Sequence, residues 1–162
     1  MNEEQSLMAA VYTGWQNYQT LLVKGLNPLS LEQLALRPAS GLRSIGEIAT
    51  HIIGARARWF YYLMGEGGDQ FADLGGWDRK GMPARTAAEL IHGLETTWNG
   101  MQAAINRWTA ADWQQTYPGE EPDDPPTITR QWVIWHLIEH DLHHGGEISL
   151  TLGVHGLPAP DL

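Results

Sequence analysis

Four of the seven histidines fall within nine residues of the stretch WHLIEHDLHHGGE, Trp135 to Glu147. If that stretch is helical, residues four apart stand one above another with Cβ atoms roughly 5–6 Å apart, so His136, His140 and His144 form a ladder on one face. Two adjacent rungs can each bring a ring nitrogen to roughly 2.0–2.1 Å from one divalent ion, which makes H-x-x-x-H on a helix a metal half-site. The three rungs cannot share one ion, because the outer two lie roughly 12 Å apart by helical rise. The half-site therefore needs a ligand from elsewhere in the chain. The bland alternative is a solvated helix face that happens to be rich in histidine. His143 lies roughly 100° around the helix from His144 and suits a supporting or surface role. Glu147, three residues beyond His144, can be a base, a further ligand or a solvated side chain, and the last is the expectation.

The helix that must carry the ladder can be capped by Thr127 or Thr129, and Trp132, Val133, Leu137, Ile148 and Leu152 supply its apolar side. Gly145 and Gly146 each cost roughly 1 kcal/mol in a helix interior relative to alanine, so they point to close backbone approach, a gap for substrate or local distortion. Three further stripes precede it. Leu7, Val11, Trp15, Tyr18 and Leu22 predict a first helix over roughly 3–24, closed by Gly25 and ended by Pro28, with a connection over 27–41 that carries at most a short helix begun by Ser30. Ser44 and Glu47 make a capping box for a second helix over about 44–65, with Ile48, Ile52, Ala55, Trp59 and Leu63 on one side. His51 falls on that same inward face, where it can complete the half-site or simply be a hydrogen-bonded core residue. Glu47 is expected to be the capping partner rather than a carboxylate orienting His51.

Thr86 and Glu89 repeat the capping box for a third helix, roughly 87–108, with His92 beside its stripe and exposed. Between the second and third helices, residues 65–85 hold six glycines and predict an irregular surface loop. After a last turn at 109–113, TYPGEEPDDPP reads as an acidic loop of solvated charge. The tail from Gly153 is irregular, and His155 has no spaced partner. Four amphipathic helices without strand periodicity define an all-α chain: one four-helix bundle domain over 1–162 with long crossover loops.

Ten basic against nineteen acidic residues give a net charge of −9, which disfavours nucleic acid or an anionic membrane as partner. The absence of cysteine excludes thiolate ligands, disulfides and a cysteine nucleophile, so any metal here binds nitrogen and oxygen. No apolar run reaches the roughly 18 residues of a membrane span and the N-terminus lacks signal-peptide character, which predicts a cytoplasmic protein.

At SIGEIATHI on the second helix and HLIEHDLHHGGEISL on the fourth, the chain resembles the DinB family of DinB/YfiT-like bundles, over nearly its whole length. The resemblance implies a divalent metal, nickel or zinc, on one histidine of the second helix and two of the fourth spaced by four: His51, His140 and His144. It also implies a homodimer and chemistry of the thiol-dependent transferase or isomerase kind, with a low-molecular-weight thiol such as mycothiol, bacillithiol or glutathione. The family commonly has arginine, glycine and glutamine after the double histidine, where this chain has Gly145, Gly146 and Glu147. The expected function is a metal-dependent transferase or hydrolase acting on a small electrophilic substrate, with Glu147 the one candidate for a catalytic group. A metal- or small-ligand-binding dimer without turnover is the alternative.

Overall fold

The computed structural model describes residues 3–119 and 125–160, with side chains from residue 8 onward. Its frame is four long helices: α1 (Glu3–Leu26), α3 (Ile45–Ala57), α5 (Ala87–Arg107) and α7 (Arg130–Val154). Shorter helices α2 (Leu31–Leu34), α4 (Asp69–Leu74) and α6 (Ala110–Trp113) lie in the connections. The principal contacts run α1 to α5, α5 to α3, α3 to α7 and α7 to α1, which places α3 and α1 at opposite corners. Trp15, Leu22, Ile48, Ile52, Leu94, Met101, Leu137 and Ile148 fill the space between them.

The local signals act as their chemistry dictates. Ser44 and Thr86 accept from the backbone N–H of Glu47 and Glu89, whose carboxylates return to the cap N–H, and Ser30 does the same with Gln33. Thr129, rather than Thr127, caps α7. The second helix runs close to its expected length, but its last stretch, Arg58–Leu63, is a π-helix. Three expectations need correction. Gly25 does not close α1, which continues through Leu26; it leaves room for the C-terminal segment, since a Cβ there would sit 2.9 Å from Pro160 Cγ. The glycine-rich 65–85 segment is not wholly irregular, because Phe71 and Leu74, three apart, bury one side of α4. The connection after residue 113 is likewise not wholly loop, since within the all-α bundle Thr116–Pro118 pairs antiparallel with Thr127–Thr129 in a two-stranded sheet. The acidic residues 120–124 of that connection lie outside the described residues.

A buried ion pair holds α3 to α7. Arg56 and Asp141, both fully buried, meet at 2.7 Å, and Trp15 Nε1 donates to the same carboxylate at 2.7 Å. Arg56 also donates to Gln19 Oε1 at 2.8 Å. Every strong polar group of the cluster is thereby engaged, as burial of charge requires. Asp141 follows His140 directly and Arg56 lies five residues beyond His51, so this pair sets the register that brings the histidines of the two helices face to face. Gly145 serves the close approach expected of it: a Cβ there would collide with the ring and hydroxyl of Tyr18 on α1, whose hydroxyl donates to the Leu142 carbonyl at 3.3 Å. Gly146 has open space beside it.

Candidate metal centre

His51 of α3 and His140 and His144 of α7 come together, each offering a nitrogen within 4.8 Å of the others. His51 Nε2 and His140 Nε2 are 3.2 Å apart. The ring of His144 lies 4.8 Å from that of His51 and 4.4 Å from that of His140, nearly perpendicular to both. The remaining rung of the ladder, His136, is drawn away from the set. Its ring stacks on Trp132 at 5.0 Å, abuts Trp59 at 5.1 Å, and its Nδ1 is 3.1 Å from Glu139.

Two carboxylates orient two of the three imidazoles. Asp78 Oδ2 is 2.8 Å from His51 Nδ1, and Arg58 grips the same carboxylate at 2.6 and 2.9 Å. Burial opposes ionisation of Asp78, but the hydrogen bonds from His51 and Arg58 outweigh it and hold its carboxyl well below the usual range. An ionised carboxylate only accepts, so His51 Nδ1 carries a proton in this contact and Nε2 is the nitrogen turned toward His140. Glu147 does the same for His144, with Oε2 2.6 Å from Nδ1. Here too burial raises and the His144 contact lowers, leaving Glu147 below its ordinary pKa. The expectation that Glu147 is merely solvated is thus corrected. A carboxylate–histidine couple of this kind is the standard support of a metal-binding imidazole.

His140 is held differently. Burial, and then the neighbouring His144, His51, His136 and Arg56, push its pKa down to about 2, so it stays neutral. Its Nδ1 is buried without a hydrogen-bond partner among the described residues. His144 is also lowered, by burial first and against the raising effect of Glu147. Neutral imidazole is the form that binds a metal. Nitrogens arranged tetrahedrally at roughly 2.0–2.1 Å from one ion stand roughly 3.3–3.4 Å apart, close to the His51–His140 separation. The donor set therefore fits a divalent ion, with three imidazole nitrogens and no thiolate. A second grouping, His143, His144 and Glu147, also falls within 4.8 Å. It occupies one turn of α7, its His143 side chain is 69% exposed, and Glu147 is already engaged with His144. The interior set is the better-built site.

Around the cluster, His136, Glu139, His140, His143 and His144 line a mouth of about 370 Å³. Glu47 caps α3 and pairs with Arg37 at 2.6 Å; it does not touch His51. His92 is exposed, as expected, and His155 is 2.8 Å from the Arg37 carbonyl, away from the cluster. Sequence reasoning missed Asp78, Arg58 and the Arg56–Asp141 pair. Asp78 follows Trp77 in a glycine-rich connection with no periodic signal, and only the fold brings it 27 positions back to His51.

A helical bundle with histidines converging from two helices is the class that fold and site define. The chain belongs to the DinB superfamily, whose family model matches residues 11–148. Solved structures share the fold. A DinB-like protein from Bacillus cereus is similar at 20% identity and TM-score 0.70, over 94% of this chain and 95% of that one. A conserved protein from Enterococcus faecalis matches at 12% identity and TM-score 0.65, over 94% and 99%. YfiT from Bacillus subtilis, described as a probable metal-dependent hydrolase with an unusual four-helix bundle topology, matches at 11% identity and TM-score 0.65, over 98% and 91%. At these identities the likeness concerns the fold. No curated protein sequence matches the chain. No helix among the described residues is long and apolar enough to cross a membrane.

Proposed function

We propose that His51, His140 and His144 hold one divalent ion, nickel or zinc, and that the protein is a metal-dependent enzyme acting on a small electrophilic substrate. The observation that carries this reading is the pair of carboxylate-oriented imidazoles, Asp78–His51 and Glu147–His144, converging with a neutral His140. Three protein nitrogens are the complement of catalytic rather than structural sites, which keep a position for water or substrate. When bound there, the ion supplies Lewis acidity and lowers the pKa of a coordinated nucleophile. The residues of the chain orient and tune the site. Asp78 and Glu147 fix the tautomers of two ligands, and burial keeps His140 in its neutral form. The indole rings of Trp59 and Trp132 pack against His136, which is one of the residues lining the mouth.

The family resemblance favours a low-molecular-weight thiol as the nucleophile and hence a transferase, in a cytoplasmic homodimer. The description of YfiT as a probable metal-dependent hydrolase favours water instead. The test is metal analysis of protein purified without a histidine tag, followed by assay of the zinc- and nickel-loaded forms with an aryl halide or epoxide, with and without thiol. One ion per chain, lost in His51→Ala and His140→Ala, supports the site, and thiol-dependent product supports transfer. Absence of stoichiometric metal overturns the reading. Metal binding without turnover reduces it to a metal-binding bundle.

A further inference from the structure

Six of the ten basic residues of the chain, Arg37, Arg43, Arg58, Arg79, Lys80 and Arg85, line a single cleft of about 840 Å³. The two carboxylates in its wall, Glu47 and Asp78, leave a surplus of four positive charges. The rest of the chain carries the remaining four basic residues against seventeen acidic ones. A strongly acidic protein thus concentrates positive charge in one concave place, which focuses the field there and draws in anions. Part of that charge is already matched within the fold. Arg37 pairs with Glu47 at 2.6 Å, Arg58 with Asp78 at 2.6 Å, and Arg85 lies 3.3 Å from Glu89 while covering the Trp77 ring at 4.4 Å. Arg43, Arg79 and Lys80 are exposed and form no ion pair among the described residues.

The unmatched cations come from two separate segments, one just before α3 and one after α4, and both segments line the cleft. Trp77, Leu34 and Met82 add apolar surface to its lining. Its volume lies within the roughly 300–1,000 Å³ of small-molecule sites. His51 and Asp78 are in the wall, but His140 and His144 are not, so the cleft lies behind the candidate metal centre rather than over it.

We propose that this cleft binds a small organic anion with two or more acidic groups, carboxylate or phosphate, held between the Arg43 side and the Arg79–Lys80 side. Such binding does not require the metal ion. The ligand would press on the outer side of the Asp78–His51 couple, so its presence would reach the metal centre through His51.

The experiment is calorimetric titration of the full chain, as purified and after metal removal, with glutarate, inorganic pyrophosphate and the neutral diamide glutaramide. A triple variant, Arg43→Gln, Arg79→Gln, Lys80→Gln, alters only exposed side chains, and circular dichroism checks that it folds. Binding of either diacid to metal-free protein, weakened at least about tenfold in the triple variant and absent for glutaramide, is the expected result. Tighter glutarate identifies a dicarboxylate ligand and tighter pyrophosphate a phosphorylated one. Equal binding by the triple variant, equal binding of the diamide, or no binding of either diacid overturns the proposal. Binding that disappears in His140→Ala or on metal removal places the anion on the metal and also overturns it. Failure of the metal reading itself shows as absence of bound metal and leaves the metal-free titration unaffected.

Discussion

Asp78 stands 2.8 Å from Nδ1 of His51, with the bidentate Arg58 guanidinium on its other side. The relay Arg58–Asp78–His51 ties a loop to the one candidate ligand contributed by α3. Removing the negative charge should loosen that imidazole without removing it. Asp78→Asn is expected to weaken metal affinity about 10–100-fold while the bundle stays folded. Competition against a chelator of known affinity measures this, and unchanged affinity would show that His51 is oriented without the carboxylate.

Glu147 makes the corresponding contact to His144 at 2.6 Å. Acting through hydrogen bonding rather than coordination, it should be dispensable for occupancy, so Glu147→Ala keeps the metal at reduced affinity. An exchangeable position also implies that the cobalt-substituted protein changes its visible spectrum when azide or a small thiol is added. A spectrum indifferent to every added ligand, together with metal release in Glu147→Ala, would mean a closed structural site.

Proton linkage gives a third test. Burial pushes His140 down to about 2 in the folded protein, whereas in the unfolded chain it takes up a proton near 6.5. Below that pH the unfolded state binds a proton the folded state refuses, so stability falls as pH falls through about 6.5 and continues to fall toward the folded value. Asp78, held ionised, contributes no change over that window. Metal-free wild type should therefore lose melting temperature between pH 7.5 and pH 5 more steeply than His140→Gln. Parallel curves would contradict a buried neutral His140.

The Arg56–Asp141 pair, both partners fully buried, should respond differently to single and paired replacement. Arg56→Met or Asp141→Leu alone strands a buried charge and should cost about 3–5 kcal/mol, while the double replacement should recover most of it. Urea unfolding of the four proteins measures the coupling. Additive single effects would show that the pair is not a unit.

Assembly is the fifth prediction. Of the eight tryptophans, Trp135 is the one largely exposed, at 57%, and Leu142, Leu150 and Val154 are exposed on the same helix. The expected state is a homodimer that buries part of this surface. Light scattering should report about twice the 18.1 kDa chain mass, falling to the monomer in Trp135→Glu. A wild-type monomer at micromolar concentration refutes it.

The stripes and capping boxes of the long helices were legible because their signals are local: Ser44 needs only Glu47, and Thr86 only Glu89. The approach of His51 to His140 and His144 was legible only in part: helical period put His51 on the inward face of its helix and set His136, His140 and His144 in one ladder, while the choice of His140 and His144 came from the family resemblance. What lay beyond the sequence depends on distance along the chain. Asp78 has no period to betray it, and the match of Arg56 to Asp141, 85 positions apart, exists only once α3 and α7 have packed. The short strands at Thr116–Pro118 and Thr127–Thr129 were hidden among prolines that read as loop, because three-residue strands leave almost no alternation to detect. Gly25 misled because an interior glycine and a terminal one look alike until Pro160 is seen against it.

Gly145 and Tyr18 occupy one space between them: the phenol of α1 sits where any side chain at position 145 would begin. The arginine that the family resemblance implies there would have nowhere to go in this chain while Tyr18 is present. Position 145 is thus a latch on α1: any side chain longer than glycine has to turn the Tyr18 ring out or lift the first helix off its seat beside α7.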